Sequence, residues 1–143
     1  MPVSATPLAA PARTVEPLRT LRRLLALDAV VTGANAVAYL ALSGPLGRFL
    51  GVGSGLLLGL GAFLAAYAAG VGLLAARPHP PVPGVRIVVE ANLAWTTLSF
   101  AALALWLTPT AAGALWIALQ ALAVAGLTLL QYRALKARQL SQV

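Results

Sequence analysis

Between Leu24 and Leu130 the only charged residues are Asp28, Arg48, Arg77, Arg86 and Glu90. A water-exposed domain carries about 25% charged residues, so a stretch this long and this poor in charge has no aqueous surface to offer. Breakers divide it three times: at Gly44-Pro45, across the proline-rich run 77–84, and at Thr108-Pro109-Thr110. Proline fixes φ and lacks the backbone donor, so none of these points continues a helix undisturbed. The four apolar runs that remain lie at about 24–43, 55–76, 85–107 and 111–131. At 1.5 Å per residue each spans the roughly 30 Å hydrocarbon core, and lipid leaves helices as the way to satisfy the backbone of such runs. The expected fold is all-α, an integral membrane four-helix bundle over 21–135. A flexible tail over 1–20, holding Pro2, Pro7, Pro11 and Pro17, precedes it, and a basic tail over 136–143 follows. Thr110 is placed to cap the last helix.

The chain carries ten Lys and Arg against three Asp and Glu, a net charge of +7. Nucleic acid is excluded as the reason, because the cations flank apolar runs and no exposed aromatics are interleaved with them for base stacking. An even number of spans puts both termini and the middle loop on one side. That side collects Arg13, Arg19, Arg22, Arg23, Arg77, Arg86, Arg133, Lys136 and Arg138, whereas the other has Arg48 alone. The bias predicts a multi-pass protein of the cell membrane with both termini cytoplasmic, where membrane lipids with anionic headgroups are its first partners. A cleavable leader ending at Ala34-Asn35-Ala36 is disfavoured, since Asp28 interrupts its apolar core and the hydrophobicity continues past the site.

Gly51, Gly55 and Gly59, continued by Ala62, Ala66 and Gly70, form a small-residue stripe on the second span. Such stripes let helices approach closely in lipid; this one is expected to pack inside the bundle, with a homodimer through Gly51, Gly55 and Gly59 as the other reading.

Function is expected to lie with polar residues inside the spans, which are costly there. Asp28, Thr32, Asn35 and Tyr39 share one face of the first helix. On the third, Arg86, Glu90 and Thr97 share a face, while Asn92, Thr96 and Ser99 share the opposite one beside Trp95. Trp116, Gln120 and Gln131 align on the fourth, and Tyr67 sits near mid-depth on the second. By helical rise Asp28 and Glu90 are level, each about 6 Å past the boundary. The set Asp28, Thr32, Asn35, Tyr39, Glu90, Asn92, Thr97 and Gln120 therefore suggests a polar pocket open to the cytoplasm, narrowing toward Tyr39 and Trp116. A purely structural reading competes with it. Glu90 could pair with Arg86, and Asp28 with Arg22, Arg23 or an arginine of the middle loop. Asn92 and Gln120 could form interhelical hydrogen bonds, and Trp106 and Trp116 could be belt residues at the interface.

No cysteine is present and His79 is the only histidine, so no metal site or cofactor is expected from this donor set. Acid–base chemistry by Asp28 and Glu90 is what remains. The leading expectation is a protein that binds a lipophilic small molecule or serves as an accessory subunit. The alternatives are a membrane-embedded acid–base isomerase, hydrolase or cyclase, and a proton-coupled small transporter. A transporter similar to the small multidrug resistance proteins would share a first-helix carboxylate and a glycine packing motif; the nine-to-one charge bias leaves only its single-topology form.

The stretch Leu24–Leu40 with Asp28, Gly33, Asn35 and Tyr39 resembles the first helix of small bacterial four-span membrane proteins. Gly61–Tyr67, the run Glu90-Ala91-Asn92-Leu93-Ala94-Trp95 and the run from Gln120 to Ala125 fit the same pattern. Over 20–135 the chain is similar in architecture to the DoxX-like four-helix group, which implies a four-helix membrane bundle and no particular chemistry.

Overall fold

The computed structural model describes residues 10–143 and holds five helices: α1 Ala10–Ala41, α2 Ser43–Leu50, α3 Ser54–Ala76, α4 Val82–Leu105 and α5 Ala111–Leu140. Four of them, from Val15–Ala41, Ser54–Ala76, Val82–Leu105 and Ala111–Leu140, are long and apolar enough to cross a membrane. The protein is an all-α bundle that fits an integral membrane protein.

The breakers act where expected, with two refinements. Gly44-Pro45 ends α1 near Ala41 but sits in the first turn of α2, where a proline costs no hydrogen bond. The short connection is thereby itself helical. It closes at Gly51, whose φ of 70° is the left-handed cap that releases the chain into α3. Arg77 to Pro81 is the non-helical link to α4, which begins at Val82 with a proline in its first turn. Thr110 is the N-cap of α5, its hydroxyl accepting from the Gly113 amide at 3.1 Å. The same hydroxyl donates to the Phe49 carbonyl at 2.7 Å, and the Thr110 amide donates to the Leu50 carbonyl at 3.1 Å, tying α2 to α5.

Both expected tails are shorter than the sequence implied. Residues 1–9 lie outside the described residues, but α1 is helical from Ala10 with Pro17 inside it. At the other terminus α5 runs on to Leu140, and Arg138 is buried with its guanidinium donating to the Pro80 carbonyl. Arg22 Nε donates to the Ala75 carbonyl at 3.1 Å. Two arginines thus occupy carbonyls at the α3 C-terminus and in the proline link, where orphan acceptors and the helix dipole favour a cation.

Around the bundle the order is α3, α1, α5, α4. α1 packs along most of α3 and part of α5, α4 packs along α5, and α3 and α4 barely touch although consecutive in sequence. One apolar cluster, Leu21, Leu25, Val71, Ala75, Val85, Val88, Ala134 and Leu135, fills the end that carries both termini. A smaller one, Ala36, Tyr39, Leu57 and Leu64, fills the far end. Burial runs opposite to that of a water-soluble domain: Val30, Val37, Leu73, Ile87 and Leu122 are exposed, whereas Asp28, Asn92 and Gln131 are buried. An apolar exterior of this extent matches lipid rather than water.

The glycine stripe is corrected by the packing. A Cβ at Gly55, Gly59 or Gly70 would meet nothing within 4 Å, so these face outward. Gly61 makes the close contact: a Cβ there would lie 2.9 Å from the Leu40 side chain. Two residues rotate a helix by about 200°, so Gly59 and Gly61 cannot share a face. Gly51 leaves the stripe altogether and turns the chain against Thr110.

Candidate functional site

Four helices bring their polar residues together at one point. Asp28 of α1 is 3% exposed and its oxygens accept three hydrogen bonds. Asn92 Nδ2 of α4 donates to Oδ2 at 2.7 Å, Gln131 Nε2 of α5 donates to the same oxygen at 2.8 Å, and Thr32 Oγ1, one turn on in α1, donates to Oδ1 at 3.1 Å. Asn92 Nδ2 also reaches Gln131 Oε1 at 3.2 Å. From α3 the Tyr67 hydroxyl donates to Asn92 Oδ1 at 2.9 Å and toward the Val88 carbonyl at 3.3 Å. A carboxylate is an acceptor-only group, and every donor here points at it directly or through Asn92.

None of these partners is a cation. The sequence suggested Arg22 or Arg23 for Asp28, but six residues turn a helix by about 240°, which carries Arg22 to another face. There it serves the Ala75 carbonyl instead. The cluster is also closed: among the described residues no buried polar side-chain atom lacks a partner. Its chemistry is that of a lock joining α1, α3, α4 and α5, since a buried network is stabilising when fully satisfied and costly when not.

The remaining sequence candidates separate. Glu90 is exposed, as are Arg86 and Thr97 on the same face of α4. Glu90 stands about 200° around the helix from Asn92, so the residue that binds Asp28 turns Glu90 away from it. Helical rise made the two carboxylates level, and rotation keeps them apart. The polar residues at the terminal end therefore bond to one another rather than lining a pocket.

Open space lies at the far end. A cavity of about 370 Å³ extends between α3 and α4, lined by Leu56, Leu57 and Leu60 on one side and by Trp95, Leu98 and Ser99 on the other. Tyr39 and Leu50 from α1 and α2, and Trp116 and Gln120 from α5, form its back. Leu56 and Leu98 are exposed at the gap between α3 and α4, so the mouth opens sideways, toward the surroundings of the bundle. Toward the terminal end the gap is bridged by Phe63, stacked on Trp95 with 6.4 Å between centroids, and by Tyr67. Trp95, Trp106 and Trp116, the three tryptophans of the chain, all line this cavity. Trp106 is 85% exposed at the rim, and Trp116 Nε1 donates to the Tyr39 hydroxyl at 2.8 Å.

A second cavity of about 390 Å³ lies between α1, α2 and α5, lined among others by Asn35, Leu46, Phe49 and Leu115. Tyr39, Leu50 and Trp116 line both, so the Tyr39–Trp116 pair is a partition between them.

Of the sequence candidates, Asp28, Thr32 and Asn92 thus meet in the polar cluster, while Tyr39, Asn35 and Gln120 border the far cavities. Glu90 and Thr97 face outward. The sequence aligned Gln131 with Trp116 and Gln120 on one face of the last span and put Tyr67 near mid-depth, yet neither Gln131 nor Tyr67 was among the expected site residues. Rise alone does not select Gln131, because the expected span 111–131 puts it at the boundary; α5 runs on to Leu140, which carries Gln131 to the depth of Asp28. No protein-family model, curated protein or solved structure matches this chain.

Proposed function

We propose that the protein is a multi-pass membrane protein that holds a lipophilic molecule between α3 and α4, in the half of the bilayer away from its termini. The observation that carries this reading is the sideways-opening cavity of about 370 Å³, within the range of ligand pockets. Its wall is almost wholly aliphatic and aromatic, which suits a hydrocarbon chain or an apolar ring. Gln120 and Ser99 add a few groups able to orient a polar end. The nine-to-one distribution of basic residues supports termini in the cytoplasm, and with that orientation the mouth belongs to the outer leaflet.

The test is the lipid that survives purification in detergent, extracted and quantified per protein by mass spectrometry. One lipid class enriched over the bulk membrane, and depleted when Ala102→Phe, at a residue that lines the cavity, fills it, is the expected result. Bulk membrane composition in both proteins would overturn the reading.

A further inference from the structure

The polar side chains in the wall of the cavity between α3 and α4, its tryptophans aside, are Tyr39, Ser99 and Gln120. None of the described residues that line it carries a charge. Each of the three polar groups has hydrogen-bonding capacity left over. The Tyr39 hydroxyl accepts from Trp116 Nε1 at 2.8 Å, yet among the described residues it donates its own proton to nothing. Gln120 and Ser99 are half-buried, and among the described residues neither side chain makes a hydrogen bond. Thr96 and Thr97, just before Ser99 on α4, return their hydroxyls to helix carbonyls instead. The contrast with the terminal end is sharp, since there every donor around Asp28 has its acceptor.

Depth narrows what can use these groups. Gln120 stands about 15 Å along α5 from Thr110, half-way through a hydrocarbon core of about 30 Å. A charged headgroup this deep would need a counter-ion, and Arg48, the only basic residue at this end, is not in the wall. Gln120 is one turn from Trp116, so its amide shares a face of α5 with the Tyr39–Trp116 pair. The Tyr39 hydroxyl, with Trp116 bonded to its oxygen, has a proton to give, and the Gln120 amide has two. We infer that the molecule held here is uncharged and presents a carbonyl oxygen, as a ketone or ester does, to the Gln120 amide and the Tyr39 hydroxyl. The inference rests on the occupancy proposed for this cavity and adds the chemical class of the occupant.

The test uses the three tryptophans, all of which line the cavity, as reporters of brominated probes that quench their fluorescence. The protein in phosphatidylcholine liposomes receives dibromostearic acid as its ionised form, the methyl ester of that acid, or dibromooctadecane, which has no oxygen. Brominated phosphatidylcholine gives the quenching due to bulk lipid. The ester should quench saturably beyond that level, at a concentration at least tenfold below that of the acid. Gln120→Leu should weaken the ester about three- to tenfold, the loss of one neutral hydrogen bond, and should leave the hydrocarbon probe unchanged; that second result also shows the variant folded and its cavity open. Equal quenching by acid and ester, an ester indifferent to Gln120→Leu, or a variant that loses the hydrocarbon probe as well would each overturn the inference while leaving the cavity occupied. No probe quenching beyond the brominated phospholipid would overturn the occupancy itself.

Discussion

Replacing Asp28 by asparagine and by leucine separates two roles that the cluster could give this residue, an acceptor and a charge. Both fixed-direction donors, Asn92 Nδ2 and Gln131 Nε2, converge on Oδ2, whereas Oδ1 receives only the Thr32 hydroxyl. An asparagine with its carbonyl oxygen at the Oδ2 position keeps both amide donors. Its own amide then faces Thr32, whose hydroxyl rotates and accepts. Every bond of the network survives, so Asp28→Asn should change stability by less than about 1 kcal/mol. Asp28→Leu instead orphans Gln131 Nε2 and leaves Asn92 Nδ2 with its 3.2 Å bond to Gln131 alone. Each buried donor left unpaired costs about 1–3 kcal/mol, tempered by interhelical hydrogen bonds in membranes that average about 0.6 kcal/mol. The leucine variant should therefore lose about 2 kcal/mol. Unfolding of the purified protein by SDS in mixed micelles, followed by circular dichroism, gives both values. An asparagine variant as unstable as the leucine variant would refute the reasoning, because the charge and not the acceptor geometry would then hold the four helices.

The packing makes further predictions. Gly113→Ala should destabilise strongly, since its Cβ would collide with the Leu50 carbonyl oxygen; Gly59→Ala, on the open face, should be neutral or stabilising by about 0.5–1 kcal/mol, and the same SDS titration compares them. Thr110→Val should lose about 1 kcal/mol with its cap and its bond to Phe49, while Thr110→Ser restores most of it. Arg138→Met should free the Pro80 carbonyl and speed proteolysis in the link from Arg77 to Pro81, read on a gel against wild type.

Four spans were legible in the sequence because span length and apolar run length obey the same geometric constraint, and the Thr110 cap was legible because its chemistry is local. What escaped was rotational. Periodicity put Gly55, Gly59 and Gly70 on one stripe correctly, but a stripe does not say whether it faces a neighbour or the outside. Rise along the helix made Asp28 and Glu90 level, yet which residues meet depends on the angle around the axis, and that is fixed by the partner helix. Asn92 faces α5 and Asp28, so Glu90 two residues earlier cannot. The far cavity has no sequence signature at all, since it arises from the separation of α3 and α4, two helices joined by a short link. α2 was hidden for another reason: Gly44-Pro45 reads as a break, and a proline that ends one helix is equally suited to the first turn of the next.

Asp28 and Gln131 are 103 residues apart, and this interval is also one of time. A ribosome makes α1 long before α5; Asp28 lacks both of its amide donors until α4 brings Asn92, and still lacks Gln131 until α5 is made. α5 also supplies Thr110 and Gly113, which hold α2. α5 therefore completes the described bundle at both of its ends at once.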